Sequence, residues 1–248
     1  MNRLVFEKEG VRIAGVIVNK VRPEKADELR HQLGTLLRRR WGVPLLGVVT
    51  DLPFLGKASL RDLETALGAS LISGKRCRGL HYGVNDAFLV TTGLRRFLRR
   101  VFEQRAMKWN RPLVVTHASR DDLFLGFLAH HQKAVASQSL GADEEPRDED
   151  WAGAMVLGCG TSANFPDLSG EPKREECEPM SYLTKMAAEV NAPVLLTKLG
   201  TFDALETITS FTAKHNIRDR ARLRAAIEHY EPQIDFDALL GAVGRAGG

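Results

Sequence analysis

A strand–turn–helix pattern over residues 111–129 constrains the fold of this chain more than any other feature. The apolar residues 113–115 are typical of a strand buried in a parallel sheet. The small and polar residues 116–120 predict a turn, and two aspartates followed by apolar residues at helical spacing predict the start of a helix. In open α/β sheets, ligands bind at turns that follow the carboxyl ends of strands. The turn that carries Ser119 and Arg120 is therefore the first candidate for a binding site.

The same alternation of apolar runs and amphipathic segments recurs along the chain. It predicts an α/β fold, with parallel sheets covered by helices and a join between two α/β layers near residues 51–70. Pro23 and Gly42 are placed to begin and end one helix, and Thr201 is placed to cap a later one. Further strands are predicted at residues 12–18, 45–49, 69–72, 152–157 and 193–197, and helices at residues 23–41, 60–67, 86–105, 183–190 and 219–230.

The composition argues against several classes of partner. The net charge of +4 arises from 35 basic and 31 acidic residues, which is too balanced to indicate nucleic acid. The clustered arginines fit solvated helix faces, and Phe97 between them falls on the opposite, apolar face of the predicted helix, whereas a stacking surface for bases needs aromatic side chains beside the arginines. No apolar run is long enough to span a membrane, so neither a nucleic acid nor a membrane is expected as a partner.

Cysteine and histidine usage predicts a reduced, intracellular chain without a metal site. Cys77, Cys159 and Cys177 form no CxxC pair, and their number is odd. His130 and His131 are adjacent, so on a helix they point in different directions and suit a shared metal poorly. The first ten residues hold two glutamates and no apolar signal core, which predicts a cytoplasmic protein; an organelle stays open if a leader is absent from this sequence.

The motifs that would hold a nucleotide or a nucleophile are incomplete. Five residues separate Gly68 from the Gly74-Lys75 pair, whereas a P-loop has four residues between its two glycines. Arg76 also replaces the hydroxyl residue that would hold Mg²⁺. Gly158 and Gly160 follow a strand, but the rest of a dinucleotide-binding loop is not in place. No GxSxG motif is present. We therefore predict no catalytic residue and no cofactor.

Several segments resemble a known family in order and spacing. GVIVNKV (residues 15–21) and residues 44–67 resemble the C-terminal end of a dethiobiotin-synthetase-like P-loop domain. LVVTHASRDD, AMVLGCG and APVLLTKLGTFDALETI resemble the DRTGG domain that follows it in the N-terminal half of long-form phosphate acetyltransferase. The resemblance implies a partial P-loop-like α/β unit at residues 1–67, a DRTGG-like α/β domain at residues 68–240 and a tail at residues 241–248.

The turn after the 113–115 strand departs from the family pattern, Thr-Pro-Gly-Asp-Arg-x-Asp. Thr116, Arg120 and Asp122 match it, whereas Ser119 stands in place of the first aspartate. The loss of that carboxylate makes the turn more favourable for an anion.

Two further positions relate to the family's motifs. The family's Thr-Gly-Gly is here residues 158–160, of which Gly160 alone matches. Asn19 matches the asparagine that lies near the nucleotide base in the P-loop relatives, and the resemblance makes it a remnant of that base site.

The resemblance implies a non-catalytic module. In the relatives, a Walker A loop precedes the matching region and an acyltransferase domain follows it. The expected function is therefore regulation or oligomerisation, with a small anionic metabolite or nucleotide as the sensed ligand. The alternative is a subunit of an ATP-dependent ligase or acetyltransferase completed by another chain that supplies the P-loop; a weaker one is a pseudo-enzyme subunit of a larger complex. Either a homo-oligomer or a partner protein supplying the missing half-domain is expected.

The strand ends after residues 115, 157 and 197 are predicted to lie side by side, because each leads from a buried strand towards a helix. The hypothetical ligand-binding residues around this crevice are Ser119, Arg120, Gly160, Thr161 and Thr201. Local interpretations stay open, since an arginine beside two aspartates can pair with them, and glycines commonly serve tight turns.

Overall fold

The structure is a computed structural model that describes residues 3–99, 111–138, 151–160, 179–213 and 217–244. The helices are α1 Arg3–Lys8, α2 Ala26–Trp41, α3 Leu60–Ala66, α4 Leu94–Leu98, α5 Asp121–Ser137, α6 Ser181–Glu189, α7 Thr201–Thr209, α8 Arg220–Tyr230 and α9 Phe236–Gly244. The strands are β1 Val16–Val21, β2 Leu45–Thr50, β3 Ala58–Ser59, β4 Ser70–Ser73, β5 His81–Tyr82, β6 Ala87–Leu89, β7 Leu113–His117, β8 Ala154–Gly158 and β9 Val194–Thr197.

These elements form two compact units. The first comprises residues 1–55 and 215–248, and the second comprises residues 56–214. Parallel strands covered by helices occur in both, so the predicted α/β fold class is confirmed. These compact units are defined by contacts and divide the chain at positions other than residue 67. The boundary between family domains after residue 67 stays a prediction.

The first unit contains one parallel strand pair, β1 and β2, joined by the crossover helix α2. Gly42 ends that helix with a positive φ of 64°, a conformation that glycine adopts without steric cost, as the sequence predicts. Strand β1 begins and ends later than predicted, so Asn19 lies inside it. Helix α9 extends to Gly244, into the segment predicted as a tail.

The second unit is built on a five-stranded sheet in the order β4-β9-β8-β7-β6. The strands β6 to β9 are mutually parallel, whereas β4 runs antiparallel to β9 at the edge. A separate antiparallel pair joins β3 to β5. The sheets are thus mostly parallel, as predicted, and β4 and this small pair are antiparallel exceptions.

Hydrophobic cores lie on both faces of the five-stranded sheet. Leu113 and Val115 of β7 face a core completed by α3 and α7, and Val114 between them faces a second core completed by α4, α5 and α6. Successive side chains of a strand point to opposite faces, so a run with no polar residue is buried on both sides. This burial explains why the 113–115 run predicts a strand.

The helix predicted over residues 86–105 is wrong in its first part. Residues 87–89 form β6, which pairs in register with Leu113 to Val115 of β7. The helix α4 starts only after Gly93, and residues 100–110 lie outside the described part of the chain. The pairing with β7 is a long-range contact, and it outweighs the helical spacing of the local sequence.

Thr201 is the first residue of α7 and not its cap, because Gly200 takes the N-cap position. Other helix starts carry the side-chain caps that their sequences favour. Ser59 Oγ accepts a hydrogen bond from the Asp62 N–H at 3.1 Å, and the Asp62 carboxylate accepts one from the Ser59 N–H at 3.0 Å. This reciprocal arrangement fixes the start of α3.

Candidate functional site

The carboxyl ends of β7, β8 and β9 lie side by side in the second unit. His117, the last residue of β7, is paired with Gly158 of β8, which is paired in turn with Thr197 of β9. The predicted adjacency of the three strand ends is therefore confirmed. Helices α5 and α7 start close behind two of these ends, at Asp121 and Thr201.

Backbone hydrogen bonds join the three turns at this edge of the sheet. The Ala118 N–H donates to the Gly158 carbonyl at 2.9 Å, and the Cys159 N–H donates to the Thr197 carbonyl at 3.1 Å. The Gly160 N–H donates to the Leu199 carbonyl at 3.2 Å. The turns are therefore packed against one another directly.

This packing explains the glycines that follow β8. A Cβ atom at Gly158 would lie 2.9 Å from the Leu199 carbonyl oxygen and 3.1 Å from the Thr201 nitrogen. A Cβ atom at Gly160 would collide with the Lys198 carbonyl oxygen. The close approach that requires glycine at these positions is made by the chain's own backbone after β9.

Arg120 binds groups on both sides of its turn. Its Nε and Nη2 atoms donate to the two carboxylate oxygens of Asp122 at 2.9 and 3.0 Å. Its guanidinium also donates to the carbonyls of Thr91 and Thr92, at 3.3 and 3.0 Å. These bonds tie the loop after β6 to the first turn of α5, as the local interpretation of Arg120 expects.

The Arg120–Asp122 contact changes the acidity of both groups. The hydrogen-bonded carboxylate raises the pKa of Arg120, and the guanidinium lowers the pKa of Asp122. Each ionised form therefore stabilises the other.

Ser119 and His117 form a second polar pair at the same turn. The Ser119 Oγ lies 2.7 Å from His117 Nδ1, and the Ser119 N–H donates to the same nitrogen at 3.2 Å. His117 is a candidate site residue that was not predicted from the sequence. The signal for it was a histidine at the end of a buried strand, two residues before a serine in the turn.

The predicted site residues are therefore distributed over neighbouring turns. Ser119 and Arg120 lie after β7, whereas Gly160 and Thr201 lie where the turns after β8 and β9 meet. Thr161 lies outside the described residues.

Asn19, in the first unit, is bonded to Tyr230, the last residue of helix α8. Its Nδ2 atom donates to the Tyr230 hydroxyl at 3.2 Å, and that hydroxyl lies 3.3 Å from Asn19 Oδ1, to which it donates. The Lys20 N–H also donates to Oδ1 at 2.8 Å. The side chain that the resemblance assigns to a nucleotide base thus makes its hydrogen bonds within the chain.

The end of β2 is bonded to the same C-terminal region. Gln233 Oε1 accepts from the N–H and the hydroxyl of Thr50, at 3.0 and 3.2 Å. His229 Nε2 donates to the Thr50 carbonyl at 2.8 Å. Beside these contacts runs an open groove of about 450 Å³, lined by Arg30 and by residues 45–48 and 232–235.

Within the described residues, no group of three or more His, Cys, Asp or Glu side chains is placed to hold a metal ion. None of the helices in the described ranges combines the length and the apolar character needed to cross a membrane.

Known proteins include one with a distant similarity to this chain. No family model matches the chain. It is 23% identical over 239 residues to a phosphate acetyltransferase from Synechocystis sp.. The chain is related to phosphate acetyltransferase. The match covers 95% of this chain and 28% of the Synechocystis protein, so the chain spans little more than a quarter of that relative's length.

Proposed function

We propose that the chain is a non-catalytic regulatory and assembly module related to the N-terminal region of phosphate acetyltransferase. The observation that carries this proposal is the extent of the match, which takes in 95% of the chain but 28% of the acetyltransferase. A match of this extent fits a module that regulates or assembles a catalytic domain. The assignment to P-loop-derived and DRTGG domains belongs to the same proposal.

The use of the Arg120 and Asn19 side chains supports a non-catalytic role. Catalysis requires groups held ready at a reacting centre. Arg120 is instead paired with Asp122, and Asn19 is paired with Tyr230. Both candidate side chains thus stabilise the fold.

The surface of the first unit supports a role in assembly. In the described part of this unit, the buried hydrophobic residues are few: Ala26, Leu37, Val43, Leu46, Val48 and Val49. Its exposed large hydrophobic residues are Leu4, Val5, Phe6, Val11, Ile17, Leu36, Ile217, Leu223, Ile227, Phe236 and Leu240. A two-stranded sheet with little core needs further cover to be stable, and exposed apolar surface is typical of interfaces.

The edge of β1 gives this assembly role a location. Within the described residues, β1 pairs with β2 on one side and with no strand on the other. An unpaired strand edge can accept a further strand from another chain. We propose that a second copy or a partner protein covers this edge and the apolar residues of the same unit.

The proposed ligand is a small anionic metabolite or nucleotide. The crevice residues named from the sequence, including Thr161, are its proposed contacts. Support comes from the starts of α5 and α7 near the strand ends, because N–H groups at helix N-termini favour anions.

A cytoplasmic location also stays a prediction.

Two measurements on the full chain test the proposed function. The purified protein is assayed for ATP hydrolysis and for acetyl transfer between acetyl-CoA and phosphate, and we expect neither above a mock preparation. Affinity purification with light scattering then reports the assembly, for which we expect a stable oligomer or a recovered partner. Turnover by the isolated chain would refute the non-catalytic role, and a partner that restores ATP turnover would favour the ligase or acetyltransferase subunit.

A further inference from the structure

The Ser119–His117 pair has the geometry of a nucleophile and its base. The separation of Ser119 Oγ and His117 Nδ1, 2.7 Å, is within the range of a strong hydrogen bond. The direction of this bond follows from the Ser119 N–H, which donates to the same nitrogen at 3.2 Å. An amide N–H can only donate, so Nδ1 carries a lone pair and the hydroxyl is the donor.

Both residues are attached to a rigid part of the second unit. His117 ends the buried strand β7 and is paired with Gly158 of β8. The Arg120 N–H donates to the His117 carbonyl at 3.0 Å and closes the turn around Ser119. Ser119 itself is exposed, so a reagent from solution can reach its hydroxyl. Reactive side chains held by rigid elements keep their geometry without ligand-induced ordering.

We propose that Ser119 is a nucleophile activated by His117, and that it accepts an acyl group from a small activated ester. In this step, Ser119 Oγ attacks the ester carbonyl carbon while its proton passes to His117 Nδ1. A new ester bond forms at Oγ, the bond from the carbonyl carbon to the leaving oxygen breaks, and the leaving group takes the proton from His117. The step involves no oxidation or reduction.

The same geometry predicts a lasting adduct. In many serine enzymes, backbone N–H groups stabilise the oxyanion of the tetrahedral intermediate, and the loss of one such donor lowers the rate by roughly 10²–10³-fold. The Ser119 N–H already donates to His117 Nδ1. We therefore expect stoichiometric modification of Ser119, with slow hydrolysis of the product. This inference is independent of the regulatory role proposed above.

A fluorophosphonate probe tests the activation directly. Ser119 Oγ would form a bond to phosphorus, fluoride would leave, and the proton would pass through His117 to solvent. We expect the probe to modify Ser119 in the full chain and to leave S119A unmodified at that turn, as determined by peptide mapping. H117Q replaces the imidazole with an amide, which is a far weaker base, so labelling should slow by at least about tenfold.

Ser137 provides a matched control in the same protein. It is exposed at the end of α5, and its hydroxyl donates to the Ala134 carbonyl at 2.7 Å, which offers it no base. Preferential labelling of Ser119 over Ser137 supports the proposal. Equal labelling of the two serines, no labelling of Ser119, or an unchanged rate in folded H117Q would overturn it. The comparison of the two serines needs no variant, so the test holds even if H117Q does not fold.

Discussion

Tyr230 is hydrogen-bonded to both the nitrogen and the oxygen of the Asn19 amide, although the two residues lie 211 positions apart in the chain. The tyrosine hydroxyl accepts from Nδ2 and donates to Oδ1, so the pair is satisfied chemically in both directions. This contact joins helix α8 to β1 within the first unit. It makes Asn19 a structural residue of that unit.

The first prediction is that Y230F destabilises the first unit by about 0.5–1 kcal/mol, because the substitution removes a partly solvent-exposed pair of hydrogen bonds without changing the ring. Urea unfolding monitored by circular dichroism measures the effect. Y182F provides the control, since Tyr182 lies on α6 with 67% of its surface exposed. Equal stability of Y230F and the wild type would show that the Asn19 contact contributes nothing.

The second prediction concerns Arg120. R120A should destabilise the second unit by about 1–2 kcal/mol, an estimate reduced for the partial exposure of the Arg120–Asp122 pair. R120K should recover only part of this loss, because an ammonium group cannot make the two parallel bonds to Asp122. R95A, at an exposed position of α4, is the matched control in chemical denaturation.

The third prediction separates ligand binding from this structural role. If the crevice binds an anion, inorganic phosphate, organic acids or nucleotides should raise the thermal midpoint of the wild type by mass action. R120A should lose that rise, whereas R95A should keep it. An identical rise in R120A, or no rise with any compound in the panel, would leave Arg120 as a turn residue alone.

The fourth prediction concerns the glycine after β8. G160A should destabilise the second unit by about 1–3 kcal/mol, because a Cβ atom there collides with the Lys198 carbonyl and the turns must separate. G79A provides the control, since nothing lies within 4 Å of a Cβ atom at that position. Thermal denaturation of both variants is the measurement. Similar midpoints for G160A and G79A would contradict the packing interpretation.

Local sequence was sufficient where burial on both sides of a strand determines the structure. The run from Leu113 to Val115 predicts β7 because its side chains enter the cores on both faces of the sheet. It was insufficient for β6, whose residues 87–89 become a strand by pairing with β7. That pairing depends on a distant partner, which a local pattern does not contain.

The candidate site shows the same limit. The positions of Ser119, Arg120 and Gly160 at neighbouring strand ends follow from alternation and topology. The groups that lie against these residues cannot be predicted in the same way, because it is the fold that brings the Lys198 carbonyl beside Gly160. The His117–Ser119 bond likewise depends on side-chain conformation, which residue types alone do not determine.

The fifth prediction is a loss of stability in mild acid that depends on His131. Burial lowers the pKa of His131 to about 4, against the opposing effect of its bond to the Val190 carbonyl. Burial, followed by the charge of Lys133, also lowers the pKa of the half-buried His130 to about 4. Both rings pack edge-on against Trp151, with centroid distances of 4.9 Å for His130 and 5.4 Å for His131. The fold therefore favours neutral imidazoles.

Because these folded-state pKa values lie below the value of about 6.5 in an unfolded chain, the stabilisation is fully present above pH ~6.5. It is lost as the pH falls towards 4, since the unfolded state binds protons first. For His131 the loss is at most about 3 kcal/mol. Urea midpoints measured between pH 7 and pH 4 should fall less steeply in H131Q than in the wild type. H31Q, altered at an exposed position of α2, is the control and should keep the wild-type dependence of the urea midpoint on pH. If H131Q shows the same dependence as the wild type, His131 is not the source of the acid sensitivity.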